Sequence, residues 1–107
     1  MAGKNSQFET KVIHAGETSD AATGAVMPPI VTSTTFEWEA LGQPRDHIYT
    51  RSSNPTRDAL ERCVADIESG SQAFAFASGM AAIATVLELA DSGSHIIAGD
   101  DMYGGTY

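Results

Sequence analysis

The alternation of apolar and polar residues changes character near residue 54. From Met1 to about Ser53 neither the 3.6-residue period of a helix nor the two-residue period of a strand persists. Asp20-Ala21-Ala22-Thr23-Gly24 reads as a turn, and Pro28-Pro29 forbids helix and disfavours a central strand. Thr32, Ser33, Thr34 and Thr35 favour extended backbone, ending at Phe36 and Trp38. So long a stretch without regular elements is uncommon inside a compact domain. A disordered tail is one reading, but Phe8, Val12, Ile13, Met27, Ile30, Phe36 and Trp38 all gain from burial. The pattern therefore predicts an extended arm over residues 1–53, packed on something else, with another subunit as the expected support.

From Asn54 the pattern becomes regular. Asn54 can cap free N–H groups, and Pro55 suits the first helical position. Ala59, Leu60, Cys63, Val64 and Ile67 share one face of the expected helix, with Asp58, Glu61, Arg62 and Asp66 outward and Gly70 as the left-handed stop. Gln72–Ala77 reads as a short buried strand. Ser78-Gly79 makes a tight turn, and a second helix follows over Met80–Asp91, with Ile83, Val86, Leu87 and Ala90 at helical spacing. Ser92-Gly93 ends it, and His95–Gly99 reads as another buried strand. Strand, helix, strand in this order predicts a right-handed βαβ crossover with parallel strands, hence an α/β fold. Residues 54–107 are thus the expected start of an α/β domain.

Composition narrows the function. The 107 residues are 42% hydrophobic, too many for disorder, and no apolar run approaches the roughly 20 residues of a membrane span. Six Lys+Arg against fourteen Asp+Glu give a formal charge of −8, which argues against a nucleic-acid or anionic-membrane binder. Residues Met1–Gln7 lack the apolar core of a secretory signal, and the single Cys63 suits a reducing cytoplasm. The only lysines, Lys4 and Lys11, lie in the arm.

Ligands of open α/β sheets bind beyond the carboxyl ends of the strands. Two segments sit there: Ala77-Ser78-Gly79-Met80, and Asp100-Asp101-Met102-Tyr103-Gly104-Gly105. The first leads a strand through small residues into a helix N-terminus, where free N–H groups and the helix dipole suit a phosphate. The same residues also serve simply to make a bend. Tyr103 could stack on a planar ligand with the glycines leaving room, or be a half-buried core ring. Asp100-Asp101 has no accompanying metal-ligand set. In Tyr49-Thr50-Arg51 a phenol and a fork-shaped cation share one side of an extended segment, suited to an anion or to a surface ion pair. His14, His47 and His95 show no ligand spacing, and Cys63 reads as inert core.

Taken together, the motifs resemble the N-terminal part of the pyridoxal-phosphate (PLP) enzymes of cysteine and methionine metabolism. This is the family of cystathionine γ-lyase, cystathionine γ-synthase, cystathionine β-lyase and methionine γ-lyase. The resemblance runs through Phe8-Glu9-Thr10, Ile13-His14-Ala15-Gly16, Thr23–Ile30, Thr32–Phe36, Tyr49-Thr50-Arg51, Asn54-Pro55-Thr56-Arg57, Phe76–Ala82 and Asp100–Thr106. It implies the arm and first βαβ unit of a fold-type I, aminotransferase-like enzyme. Residues matching Gly79 and Met80 would give backbone N–H groups to the cofactor phosphate, with Ser78 in the same turn. Tyr103 would stack on the pyridine ring and assist proton transfer. Tyr49 and Arg51 would reach the phosphate of a neighbouring subunit's cofactor, in a homo-oligomer, usually a tetramer, with shared active sites.

The implied chemistry is γ-elimination or γ-replacement on sulfur amino acids of the cystathionine, homocysteine or O-acyl-homoserine class. The Schiff-base lysine of the family belongs to a segment beyond Tyr107, and neither Lys4 nor Lys11 has a matching context. The expectation is thus an N-terminal fragment that does not turn over substrate by itself. A cysteine typical of methionine γ-lyases near Gly105 is missing, and β-lyases generally diverge around Tyr103–Thr106. The γ-lyase/γ-synthase branch is the expected one, with O-acetylhomoserine sulfhydrylase as an alternative. Two non-family alternatives are a module docking its arm on a full-length subunit, and a βαβ module for another phosphate ligand. The latter has neither a dinucleotide fingerprint nor a P-loop.

Overall fold

A helix absent from the sequence expectation begins the structure. In the computed structural model, which describes residues 6–107, α1 spans Phe8–His14. Seven residues are too few for a helix to persist unaided in water. Its support is α2, Pro55–Ile67, against which it packs. Lys11 of α1 places Nζ 3.3 Å from both the carboxylate Oδ1 and the backbone oxygen of Asp66. Just after α1 the chain turns through Gly16 at φ +74°, where a Cβ would collide with the carbonyl oxygen of Ala59 and approach the backbone nitrogen of Cys63 to 2.8 Å. Tertiary contact makes this helix, which is why periodicity in the arm did not show it.

The chain divides into two compact units, Met1–Phe74 and Ala75–Tyr107. In the first, the expected turn at Asp20 is present. The Asp20 carboxylate accepts from the Thr23 hydroxyl at 2.7 Å, the Thr23 amide at 2.8 Å and the Ala22 amide at 3.2 Å. Gly24, at φ +71°, completes the reversal by donating its amide to the Asp20 carbonyl. Farther on, Thr34–Phe36 runs antiparallel to Ile48–Thr50, bonded from Phe36 N to Ile48 O at 3.1 Å and from Thr50 N to Thr34 O at 2.9 Å around a Thr35–Tyr49 bridge.

Helix α2 starts where expected. Asn54 has an extended backbone and its side chain accepts from the Thr56 amide at 2.8 Å, with Pro55 at the first position. Its end differs by one residue from expectation. Ser69, not Gly70, takes the left-handed conformation, at φ 56°. The Gly70 amide then reaches the Ala65 carbonyl at 2.8 Å and the Ser69 amide the Asp66 carbonyl at 3.4 Å, the paired bonds of a Schellman stop. The face assignments also need correction. Leu60 and Val64 stand exposed, whereas Asp58 and Asp66 are half-buried beneath their partners His47 and Lys11.

In the second unit, α3 spans Gly79–Leu87, shorter than the expected Met80–Asp91. Its last turn tightens: Leu89 and Ala90 donate to the carbonyls of Val86 and Leu87, and the chain then turns at Gly93, φ +89°. Neither Gln72–Ala77 nor His95–Gly99 forms a strand, so the βαβ unit is not realised as paired elements among the described residues. Isolated bridges at Thr35–Tyr49 and Ala40–Gln43 are the β pairing described. Strand backbone needs a ladder neighbour to satisfy its N–H and C=O groups. Phe74, Phe76, Ile96 and Ile97 accordingly remain exposed instead of buried. A single-turn 3-10 element, Gly104–Thr106, closes this unit and packs against α3.

Candidate functional site

In the second unit the site begins at the N-terminus of α3. Ser78 caps the helix, its hydroxyl oxygen accepting from the Ala81 amide at 3.2 Å. The amides of Gly79 and Met80 precede the first intrahelical bond and have no protein partner among the described residues. A Cβ on Gly79 would meet nothing within 4 Å, so the space over this turn is open. Two unpaired donors on a helix dipole beside open space have the chemistry that suits an anion, as expected of a phosphate cradle.

Tyr103 stands at the N-cap position of the 3-10 turn, 74% exposed. A Cβ on Gly105 would lie 2.8 Å from Tyr103 Cε1, so glycine at 105 lets this ring lean back over its own loop. The Thr106 hydroxyl sits 3.6 Å from Met80 Sδ, tying that loop to the first turn of α3. Beside them Ile83, Leu87, Ala98, Met102, Tyr103 and Thr106 line a cavity of about 430 Å³. The structure therefore brings Met80 and the Tyr103 loop together within one unit.

In the first unit Tyr49 and Arg51 are also brought together, though by a turn and not by the extended segment expected. The amides of Ser52 and Ser53 both bond the Tyr49 carbonyl, at 3.0 and 3.1 Å. Arg51 Cζ lies 5.1 Å from the centroid of the Tyr49 ring. No carboxylate within salt-bridge distance claims Arg51 among the described residues, despite the acidic composition. Among the described residues, the surface ion pair that would be its plain explanation is not formed.

Other candidates resolve to structural roles. Lys11 joins α1 to α2 through Asp66, and Lys4 lies outside the described residues. His47 Nε2 is 2.7 Å from Asp58 Oδ2 with its ring 5.5 Å from Phe36, and His14 is 3.8 Å from Glu17. Asp100 and Asp101 gather no metal-ligand cluster among the described residues. Sequence reasoning missed what Asn54 and Arg57 do. Asn54 is 6% exposed and Arg57 bonds the carbonyls of Thr50 and Ser52, so both hold the turn carrying Tyr49 and Arg51. The Asn-Pro cap signal was legible; the bonds back into the arm had no local signature.

Residues 9–107 match the family model described as Cys/Met metabolism PLP-dependent enzyme. The chain belongs to that family. It is 56% identical over 104 residues to the cystathionine beta-lyase of Coxiella burnetii, a match covering 97% of this chain and 27% of the relative. Against the cystathionine gamma-lyase of Bacillus subtilis it is 48% identical over 99 residues, covering 92% of this chain and 26% of the relative. The solved structure of cystathionine gamma-lyase from Lactobacillus plantarum complexed with L-serine superposes with TM-score 0.82 at 51% identity, over 94% of this chain and 26% of that one. The chain thus spans about a quarter of the length of these relatives. The expected fold class holds: the backbone follows the corresponding part of a fold-type I PLP enzyme even where strand ladders are not paired. The names of the relatives span both β- and γ-lyases.

The cradle residues fit the family's cofactor. The free amides of Gly79 and Met80 match a phosphate monoester, and the exposed Tyr103 ring offers a face to a pyridine.

Proposed function

We propose that this chain forms the arm and the phosphate-cradle segment of a PLP-dependent enzyme that cleaves or builds the carbon–sulfur bonds of cystathionine-class amino acids by γ-elimination or γ-replacement. The observation that carries the reading is the pair of unpartnered amides, Gly79 and Met80, at the capped start of α3 in a member of this family. Bound PLP supplies an electron sink that makes the Cα proton of an amino acid removable. In this reading the Gly79 and Met80 amides donate to the cofactor phosphate, and the Ser78 hydroxyl adds a third donor while its oxygen caps the helix. The Tyr103 ring covers the pyridine face and its phenol assists proton transfer. Tyr49 and Arg51 reach the phosphate of a neighbouring subunit's cofactor, which makes the enzyme a homo-oligomer with shared sites, a homotetramer in its full form. A single cysteine and an acidic composition suit work in the cytoplasm on a small amino acid, without nucleic acid or membrane.

A second reading is β-elimination, favoured by 56% identity to a relative named cystathionine beta-lyase. The two are separated by giving the full-length enzyme PLP and cystathionine and identifying the keto acid released. With one water consumed, cleavage on the γ side yields 2-oxobutyrate, ammonia and cysteine; cleavage on the β side yields pyruvate, ammonia and homocysteine. Formation of cystathionine from cysteine and an O-acyl-homoserine would mark γ-replacement. A PLP-loaded enzyme that does none of these would sink both readings.

A further inference from the structure

The N-terminus of α2 is built into the arm more tightly than a helix start requires. Asn54 is one of the most buried polar residues described, at 6% exposure, and its side-chain oxygen and nitrogen are both engaged. Its Oδ1 caps α2 by accepting from the Thr56 amide, while Nδ2 donates to the Val31 carbonyl at 3.1 Å and to Thr50 Oγ1 at 3.0 Å. Thr50 Oγ1 in turn donates to the Ser33 carbonyl. Capping needs the side-chain oxygen alone; the two donor bonds do something else. They span two separate runs of the arm, one through Val31 and one through Thr50.

Arg57, one position before the end of the first helical turn, completes the clamp. Nη1 donates to the Thr50 carbonyl at 3.3 Å and Nη2 to the Ser52 carbonyl, so the guanidinium straddles Arg51 from the backbone side. Its Nε stands 3.7 Å from Glu61, which orients the fork. The residues bonded by Asn54 and Arg57 are those that bracket Arg51 and follow Tyr49. Neither Asn54 nor Arg57 is itself presented as Arg51 is, so neither is a free anion ligand.

We propose that Asn54 and Arg57 are positioning residues: from the start of α2 they fix the Tyr49–Ser52 turn and thereby aim Tyr49 and Arg51 at the cofactor phosphate. The inference rests on the reading of Tyr49 and Arg51 as phosphate ligands. It differs from a stability role in one respect. Loosening the turn should weaken recognition of the phosphate without weakening recognition of the rest of the cofactor.

The experiment strips the full-length enzyme of cofactor and titrates it with PLP and separately with pyridoxal, which carries the same aldehyde and ring without the phosphate. Asn54→Ser keeps a capping oxygen and removes both donor bonds. Arg57→Lys keeps the charge and removes the two-pronged grip, and serves where the first variant fails to fold. Each is expected to weaken PLP binding about three- to tenfold, the span of one lost hydrogen bond, with pyridoxal unchanged. In an Arg51→Ala background the same substitutions should add little, because the group they aim has gone. If Arg51→Ala itself shows no phosphate-selective loss, the reading of Arg51 fails and the inference falls with it. If Arg51→Ala shows that loss but Asn54→Ser and Arg57→Lys do not, or lower both cofactors alike, or add in full to Arg51→Ala, the positioning role is overturned while the ligand reading stands.

Discussion

Gly16 joins two helices through an absent side chain. Its positive φ is one constraint, and the backbone of α2 at Ala59 and Cys63 is a second that flexible neighbours cannot relieve. Gly24 shares the positive φ but has open space where its Cβ would stand. Gly24→Ala should therefore cost only the left-handed strain, about 1 kcal/mol, while Gly16→Ala adds overpacking and costs about 2–4 kcal/mol. Comparing the apparent unfolding midpoints of the two variants in the full-length enzyme checks this, and equal losses would refute the steric half. Asp20 offers a pH-dependent counterpart. Bonds from the Thr23 hydroxyl and amide, with a weaker one from Ala22, hold its carboxyl below the ordinary value of 3.8. A depressed acid stabilises the folded turn above its unfolded pKa, and the contribution is lost as pH falls through the folded value. Thr23→Val should bring the Asp20 titration, followed by NMR, back up toward 3.8; no movement would mean another cause. Asp20 was recognisable in the sequence as a turn former. What Gly16 touches was not, because its contacts lie more than forty positions away.

At the scale of elements, the caps were the most legible features. Asn54-Pro55 and Ser78-Gly79 start helices by short-range bonds to the next residues, and local chemistry encodes local bonds. The stop of α2 was misplaced by one position because glycine was taken to hold the left-handed conformation that Ser69 adopts. A residue with a Cβ is strained there, so Ser69→Gly should raise stability by about 1 kcal/mol, visible as a higher unfolding midpoint of the full-length enzyme. A drop would show that the Ser69 side chain contributes more than its backbone costs. Strands behaved oppositely to caps. The composition of Gln72–Ala77 and His95–Gly99 announces buried strands, but pairing depends on residues distant in sequence, and no ladder forms among those described. Helix α1 is the converse, an element with weak local signal that exists through its contact with α2.

At the scale of the whole chain, large apolar side chains stand exposed in both units. Ile30, Leu41, Leu89 and Ile97 are each more than four-fifths exposed. The 107-residue chain on its own should consequently bind a hydrophobic dye and tend to aggregate; a sharp cooperative melt of a monomer would contradict this. Sequence alone determined the family, the turn at Asp20 and the places where α2 and α3 begin, because motif and cap chemistry are carried by near neighbours. Only the tertiary structure decided that Tyr49 and Arg51 sit on a turn, that α1 is a helix, and that Asn54 and Arg57 reach back to hold that turn. Those outcomes depend on bonds between segments the chain brings together only by folding, and no local pattern of residues records which carbonyl a buried amide or guanidinium will find.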